Sequence, residues 1–254
     1  MRKAGRVILI VVASALGLAI VAVIVYLALP TDTWQRITDV AGPQHPAERY
    51  ATAAPVTAAA TPTGPGIAGL ADPTWLADTA TATGIPRRAL AAYAGAALNI
   101  AQANPRCGIG WNTLAGVGEI ESRHGTIFGG SITANGDAVP AIFGVSLDGV
   151  GTAHVPDSDG GAIDGDAEGD RAVGPMQLIP EAWRNWHVDG GADGVESPQN
   201  IDDATLAAAH YLCRAGGDLS TESGWRAAVL AYNGSEQYLA DVIRYSVGYA
   251  RDSR

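Results

Sequence analysis

Gly118-Glu119-Ile120-Glu121-Ser122-Arg123-His124-Gly125 closes a segment with helical periodicity: from Asn112 to Ser122, the residues Leu114, Val117, Gly118 and Glu121 recur at steps of three and four. At about 100° per residue, Glu121 lies roughly 20° from Leu114, on the apolar side. Glu119 falls on nearly the opposite side, with Arg123 as its i+4 partner. One carboxylate is therefore expected to be solvated and paired, and the other carried toward the core, with Gly125 as a left-handed stop. A glutamate in an apolar surround keeps its proton to higher pH, as a general acid must. The alternative for Glu121 is a carboxyl that merely hydrogen-bonds inside a core.

Helical signals continue on both sides. Asp72-Pro73 ahead of Trp75 and Leu76 is a helix start with proline in the first turn, and Pro86 to about Ala103 carries Leu90, Tyr93, Ala97 and Ile100 along one face. Further helices are expected over Pro180 to Trp186, and from about Asp202 to Ala215 with Gly216-Gly217 as the stop. Another surrounds Trp225, Val229 and Tyr232 and closes at Asn233-Gly234. The last, Ser235 to about Ala250, carries Tyr238, Val242, Tyr245 and Tyr249 at helical spacing. Between Gly125 and Asp170 the chain is rich in glycine and aspartate with little helical signal; a loop that long in a compact domain usually shapes a site. The fold class is mainly α, with a long irregular loop region.

Charge and cysteine usage bound the compartment and the partners. The net charge is −10 and Lys3 is the only lysine, which argues against nucleic acid as a ligand. Arg2, Lys3 and Arg6 precede an uncharged run from Val7 to Leu29, long enough at roughly 20 residues to span a bilayer. Residues 1–30 are thus expected to be a retained, single-pass transmembrane anchor, with the chain beyond Pro30 on the extracytoplasmic side. A cleaved signal peptide would leave the domain on that same side. Residues 31–69, dominated by Ala, Thr, Pro and Gly without periodicity, are expected to form a disordered tether, and packed structure to begin near Leu70 and run to 254. Cys107 and Cys213 are the only cysteines, and an oxidising exterior favours pairing them.

Three further segments stand out. Gly174-Pro175-Met176-Gln177-Leu178-Ile179-Pro180 holds the only methionine besides Met1. Ala209-His210-Tyr211-Leu212-Cys213 puts Tyr211 on a cysteine-bearing helix, and Ala231-Tyr232-Asn233-Gly234 ends a helix with a ring and an amide. In the order Glu-Ser, Gly-Pro-Met-Gln-Leu-Ile-Pro, Tyr-Leu-Cys, Ala-Tyr-Asn, the chain from about Asp72 to Arg251 resembles the lytic transglycosylases with a goose-lysozyme-like fold. It is most similar to the membrane-anchored type related to the membrane-bound lytic transglycosylase B group.

That resemblance implies a lysozyme-like helical catalytic domain over 70–254 and peptidoglycan as substrate, cut at the MurNAc-GlcNAc β-1,4 bond. Glu121 is implied as the sole catalytic acid and then base, the substrate's acetamido group assisting, with a 1,6-anhydro product and no cofactor. Ser122 orients the acid's carboxylate or a substrate N-acetyl group. Gln177 matches the glutamine of Gly-x-x-Gln, and Met176 lines the groove floor. Tyr232 sits near the catalytic carboxyl, Tyr211 stacks on a sugar face, and Asn233 bonds the sugar or caps its helix. A serine the family carries before its glutamine motif has no counterpart here, though Glu168 lies near that distance, so that role is unassigned. Implied partners are glycan strands, a lipid bilayer through residues 7–29, and cell-wall synthesis or division proteins as candidates.

Two rival readings share the scaffold: a hydrolytic goose-type muramidase and a non-catalytic cell-wall-binding module. Asp164-x-Asp166-x-Glu168-Gly169 imitates the start of a calcium loop, but Pro175 occupies its twelfth position, so a solvated acidic turn is expected over 157–170. Asp148 is an acid that could face the groove. His124, His154, His187 and His210 lack zinc spacing and are expected to be structural or exposed, and no metal is expected.

Overall fold

Helix starts follow the local chemistry. In a computed structural model that describes residues 49–150, 152 and 154–254, Asp72 accepts hydrogen bonds from the amides of Thr74 and Trp75, both at 2.9 Å. With Pro73 in the first turn this caps α1 (Pro73–Thr83), which Gly84 ends in the left-handed region at φ 73°. Helices α2 (Arg87–Ala103) and α3 (Trp111–Ser122) follow. After the loop region come α4 (Pro180–Trp186), α5 (Ile201–Gly216), α6 (Glu222–Tyr232) and α7 (Glu236–Asp252). Asn200, Thr221 and Ser235 cap the last three through their side chains. The fold is mainly helical, as periodicity predicts, and among the described residues no helix is long and apolar enough to cross a membrane. The expected anchor at 7–29 lies outside the described residues.

Helix α3 runs through the middle of the packing. It lies against α7 and α2, while α5 packs on α6 and α2. Trp111, Leu114, Tyr93, Leu212 and Trp225 are fully enclosed, and Trp225 Nε1 donates to Thr113 Oγ1 at 3.0 Å. Two glycines permit this closeness. A Cβ on Gly116 would run into Ser246 of α7, and one on Gly118 would clash with the Tyr93 hydroxyl of α2.

Residues 49–69 correct the expected tether boundary. Ala51, Ala54 and Ile67 are buried, and the fully buried Asn112 of α3 grips this strap from both sides. Its Oδ1 accepts from Ala54 N at 2.9 Å and its Nδ2 donates to Thr52 O at 3.0 Å. Trp111 Nε1 donates to Pro55 O at 3.1 Å, and Ala59 N donates to Leu70 O at 2.8 Å. The strap is held by its own backbone polar groups, so it leaves no side-chain period to read. The rest of the expected tether, 31–48, lies outside the described residues.

The loop region from Gly125 to Asp170 is irregular, as expected, and is stiffened by two short antiparallel ladders. The first pairs β1 (Ser131–Ile132) with β2 (Ala138–Val139), and the second pairs β3 (Phe143–Ser146) with β4 (Arg171–Val173). The turn 157–170 is less solvated than its composition suggests. Asp170 is fully buried and accepts from both the amide and the hydroxyl of Ser158 at 2.8 Å, and the buried Asp164 accepts from Arg171 N at 2.6 Å. Inward aspartates satisfy backbone amides that a strand would otherwise pair. Cys107 and Cys213 form the expected disulfide, 106 residues apart in sequence, joining the start of α3 to α5.

Candidate active site

The end of α3 is a left-handed turn of three residues. Arg123, His124 and Gly125 all have positive φ, at 51°, 59° and 80°. The helix therefore ends at Ser122, as its periodicity predicts, and the chain turns left-handed from Arg123, so Arg123 swings off the helix face. This corrects the expected Glu119–Arg123 pair. The partner of Glu119 is His124, whose Nε2 lies 3.1 Å from Oε2. His124 is buried and also meets the hydroxyls of Tyr93 at 3.1 Å and Tyr249 at 3.0 Å, so it ties α3 to α2 and α7. Half-buried Glu119 is held below its ordinary pKa, first by its hydrogen bond to His124.

Glu121 has the opposite environment. It projects from the last turn of α3 and is partly exposed, yet burial of its carboxyl pushes its pKa up from 4.5 to about 7. The opposing influence is one hydrogen bond: Tyr238 of α7 donates its hydroxyl to Glu121 Oε1 at 2.5 Å. Tyr238 is itself buried, and burial raises its pKa far above the ordinary tyrosine value, so it remains a donor throughout the physiological range. Tyr238 was not marked as a site residue by its sequence, where it reads as one more aromatic on a helix face. The available signal was its place, six residues after Tyr232 and across the Asn233-Gly234 turn.

The segment Gly174–Gln177 is laced to this helix end from two directions. Ser122 Oγ donates to Pro175 O at 2.7 Å and accepts from Gly125 N at 2.8 Å. Tyr232 Oη donates to Met176 O at 2.6 Å, and its pKa is raised by burial and then by the nearby Glu121 charge. Gln177 takes a left-handed backbone at φ 49°, is partly exposed, and donates Nε2 to Gly174 O at 3.0 Å. Glu121, Tyr232, Tyr238 and the 174–177 segment are thus brought together from α3, α6, α7 and the loop before α4.

Two expected substrate contacts need correction. Ser122 is fully buried and its hydroxyl is committed to backbone on both sides, so it fastens the site rather than facing a ligand. The Met176 side chain is fully buried as well: it packs in the core and lines no groove. Tyr211 is partly exposed, donates its hydroxyl to Ala231 O at 2.6 Å, and lies between Tyr232 and Trp186, at ring-centre distances of 5.6 and 6.3 Å. Its ring extends an aromatic row outward from the acid. Asn233 is exposed and its Oδ1 accepts from Ser235 N at 3.2 Å, which leaves its amide nitrogen free toward solvent among the described residues. Exposed Asp148 closes a local turn by accepting from Val150 N at 2.8 Å.

Carboxylate oxygens of Asp157, Asp159 and Asp170 lie within 4.8 Å of one another, a different trio from Asp164, Asp166 and Glu168. Each is already engaged by Ser158 or by the backbone amides of the turn at 159–163. Compared with known proteins, the chain matches no protein-family model, no curated protein and no solved structure.

Proposed function

We propose that this chain is a peptidoglycan lytic transglycosylase with a lysozyme-like catalytic domain, anchored through residues 7–29 and acting on the extracytoplasmic side of the membrane. The observation that carries the reading is Glu121: a buried carboxyl on a partly exposed residue, its pKa lifted to about 7, held by one tyrosine hydroxyl and close to Tyr232. Motif order along the sequence supplies the substrate class.

Protonated Glu121 gives its proton to the glycosidic oxygen as the C1–O bond breaks. The substrate's acetamido oxygen stabilises the cationic C1 in place of a protein nucleophile. Carboxylate Glu121 then accepts the proton of the C6 hydroxyl as that oxygen bonds C1, closing the 1,6-anhydro ring without water. A single acid suits this scheme. A second carboxylate at the roughly 5 Å spacing of retaining glycosidases would raise the acid's pKa further, and among the described residues none contributes to the Glu121 shift.

Mass spectrometry of digested sacculi tests the reaction. Anhydromuramoyl ends are the expected product; reducing ends would assign the same site to a muramidase, and no release at all would leave a wall-binding module.

A further inference from the structure

The aromatic row that begins at Tyr232 does not end in open solvent. Beyond Tyr211, Trp186 forms one wall of a cleft of about 730 Å³ that is also lined by His210, Arg106, Arg214 and Asp218. The two arginines are placed by the disulfide: Arg106 precedes Cys107, Arg214 follows Cys213, and the cysteine Cα atoms are 5.3 Å apart. Both side chains are exposed, and among the described residues neither forms an ion pair. Arg214 lies in the last turn of α5, where a cation complements the carbonyl end of the helix. Arg106 has no such reason to be there.

In a chain of net charge −10, a cleft lined by two arginines and one acid presents a net positive surface to an anion. The one acid in the cleft, Asp218, is occupied locally, accepting from the amide of Ser220 at 2.9 Å and its hydroxyl at 2.6 Å. Burial holds His210 below its ordinary pKa, so at neutral pH the positive charge belongs to the arginines.

We propose that Arg106 and Arg214 bind the carboxylates of the stem peptide carried by the glycan strand, while the strand lies along Tyr232, Tyr211 and Trp186. The site rests on the peptidoglycan reading given above and deepens it. Planar guanidiniums match carboxylates with paired, charge-assisted hydrogen bonds, and the lactyl-linked peptide is the part of this substrate that carries them. The disulfide then has a second consequence, since it holds together the two backbone positions from which the arginines extend.

The test compares full-length wild type with the Arg106→Gln/Arg214→Gln double variant on peptidoglycan strands bearing stem peptides and on the same strands stripped of peptide by an amidase. The expected result is that the double variant's preference for peptide-bearing strands, read as the ratio of kcat/KM values, falls about tenfold. Isothermal titration with a free stem tetrapeptide should show affinity weakened by a similar factor, with melting temperatures matched to show that both proteins are folded. An unchanged ratio with unchanged peptide affinity overturns the proposal. So does arginine-dependent affinity for a phosphate-rich wall polymer in place of the peptide. Protein that cleaves neither strand yet binds the tetrapeptide through the two arginines refutes the reaction proposed above and leaves this site standing.

Discussion

Glu119 and Glu121 are two residues apart on one helix, and their protons are held in opposite ways. His124 keeps the first ionised, while burial keeps the second protonated to about pH 7. Among the described residues Tyr238 is the one hydrogen-bonding group that favours the charged form of Glu121, so Tyr238→Phe should raise the pKa further. A hydrogen bond to a charged group is worth about 1.5–3 kcal/mol, which sets the upward shift at roughly one to two units. Activity that needs protonated Glu121 falls as pH rises through its pKa. The basic limb of the kcat/KM profile should therefore move upward in Tyr238→Phe, and a downward shift would remove the assigned role. The same imbalance bears on stability. Because the folded pKa of Glu121 lies above the unfolded one, folding is penalised as pH rises from 4.5 through about 7. Relative to wild type, Glu121→Gln should gain about 2–3 kcal/mol between pH 4 and pH 8 in denaturant unfolding. Asp203, raised to about 6 by burial, is present in both proteins and cancels in that comparison. A difference that does not change with pH would mean that the Glu121 carboxyl is solvated.

At the scale of elements, the site depends on how closely α3 approaches α2 and α7. Gly118 faces the Tyr93 hydroxyl, so Gly118→Ala should destabilise the fold by about 1–3 kcal/mol through overpacking. Adding Tyr93→Phe removes the closest clashing atom, the hydroxyl oxygen, and leaves the ring carbon Cζ at 2.7 Å. In a double-mutant cycle the pair should be coupled by about 1 kcal/mol in the favourable direction, and simple additivity would show that α2 yields freely. Loss of the Tyr93 hydroxyl also costs its bond to His124, so the rescue is partial. The strap at 49–69 and the segment 174–177 are the other supports. The first braces the start of α3 through Trp111 and Asn112, and the second is tied to its end through Ser122. A helix clamped at both ends presents its last-turn carboxyl in one place.

Over the whole molecule, what was legible in the sequence was local. Asp72 and Ser235, read as helix starts, cap their own helices within three residues, and the helical faces follow from period alone. The bond between Tyr238 and Glu121 spans 117 residues, and the strap reaches Asn112 across about sixty, so neither leaves a pattern in any window of the chain. Ser122 and Met176 were legible as positions belonging together but not as buried ones, because motif order carries adjacency and not exposure. Arg123 misled for a related reason: helical spacing gives it Glu119 as a partner only while the helix continues, and the left-handed turn is set by Ser122 closing on Gly125 and Pro175. The disulfide, which closes a loop of 106 residues, stabilises this assembly by roughly 4–5 kcal/mol on chain entropy. The central claim is that one carboxyl, held by residues far away in the chain, moves the proton in both steps. Its most direct measurement is release of soluble muropeptides from purified sacculi by wild type and by Glu121→Gln, both checked for matched melting at pH 5. The account predicts that Glu121→Gln releases less than about a hundredth of the wild-type amount, the scale of general acid catalysis; release at the wild-type rate would contradict it.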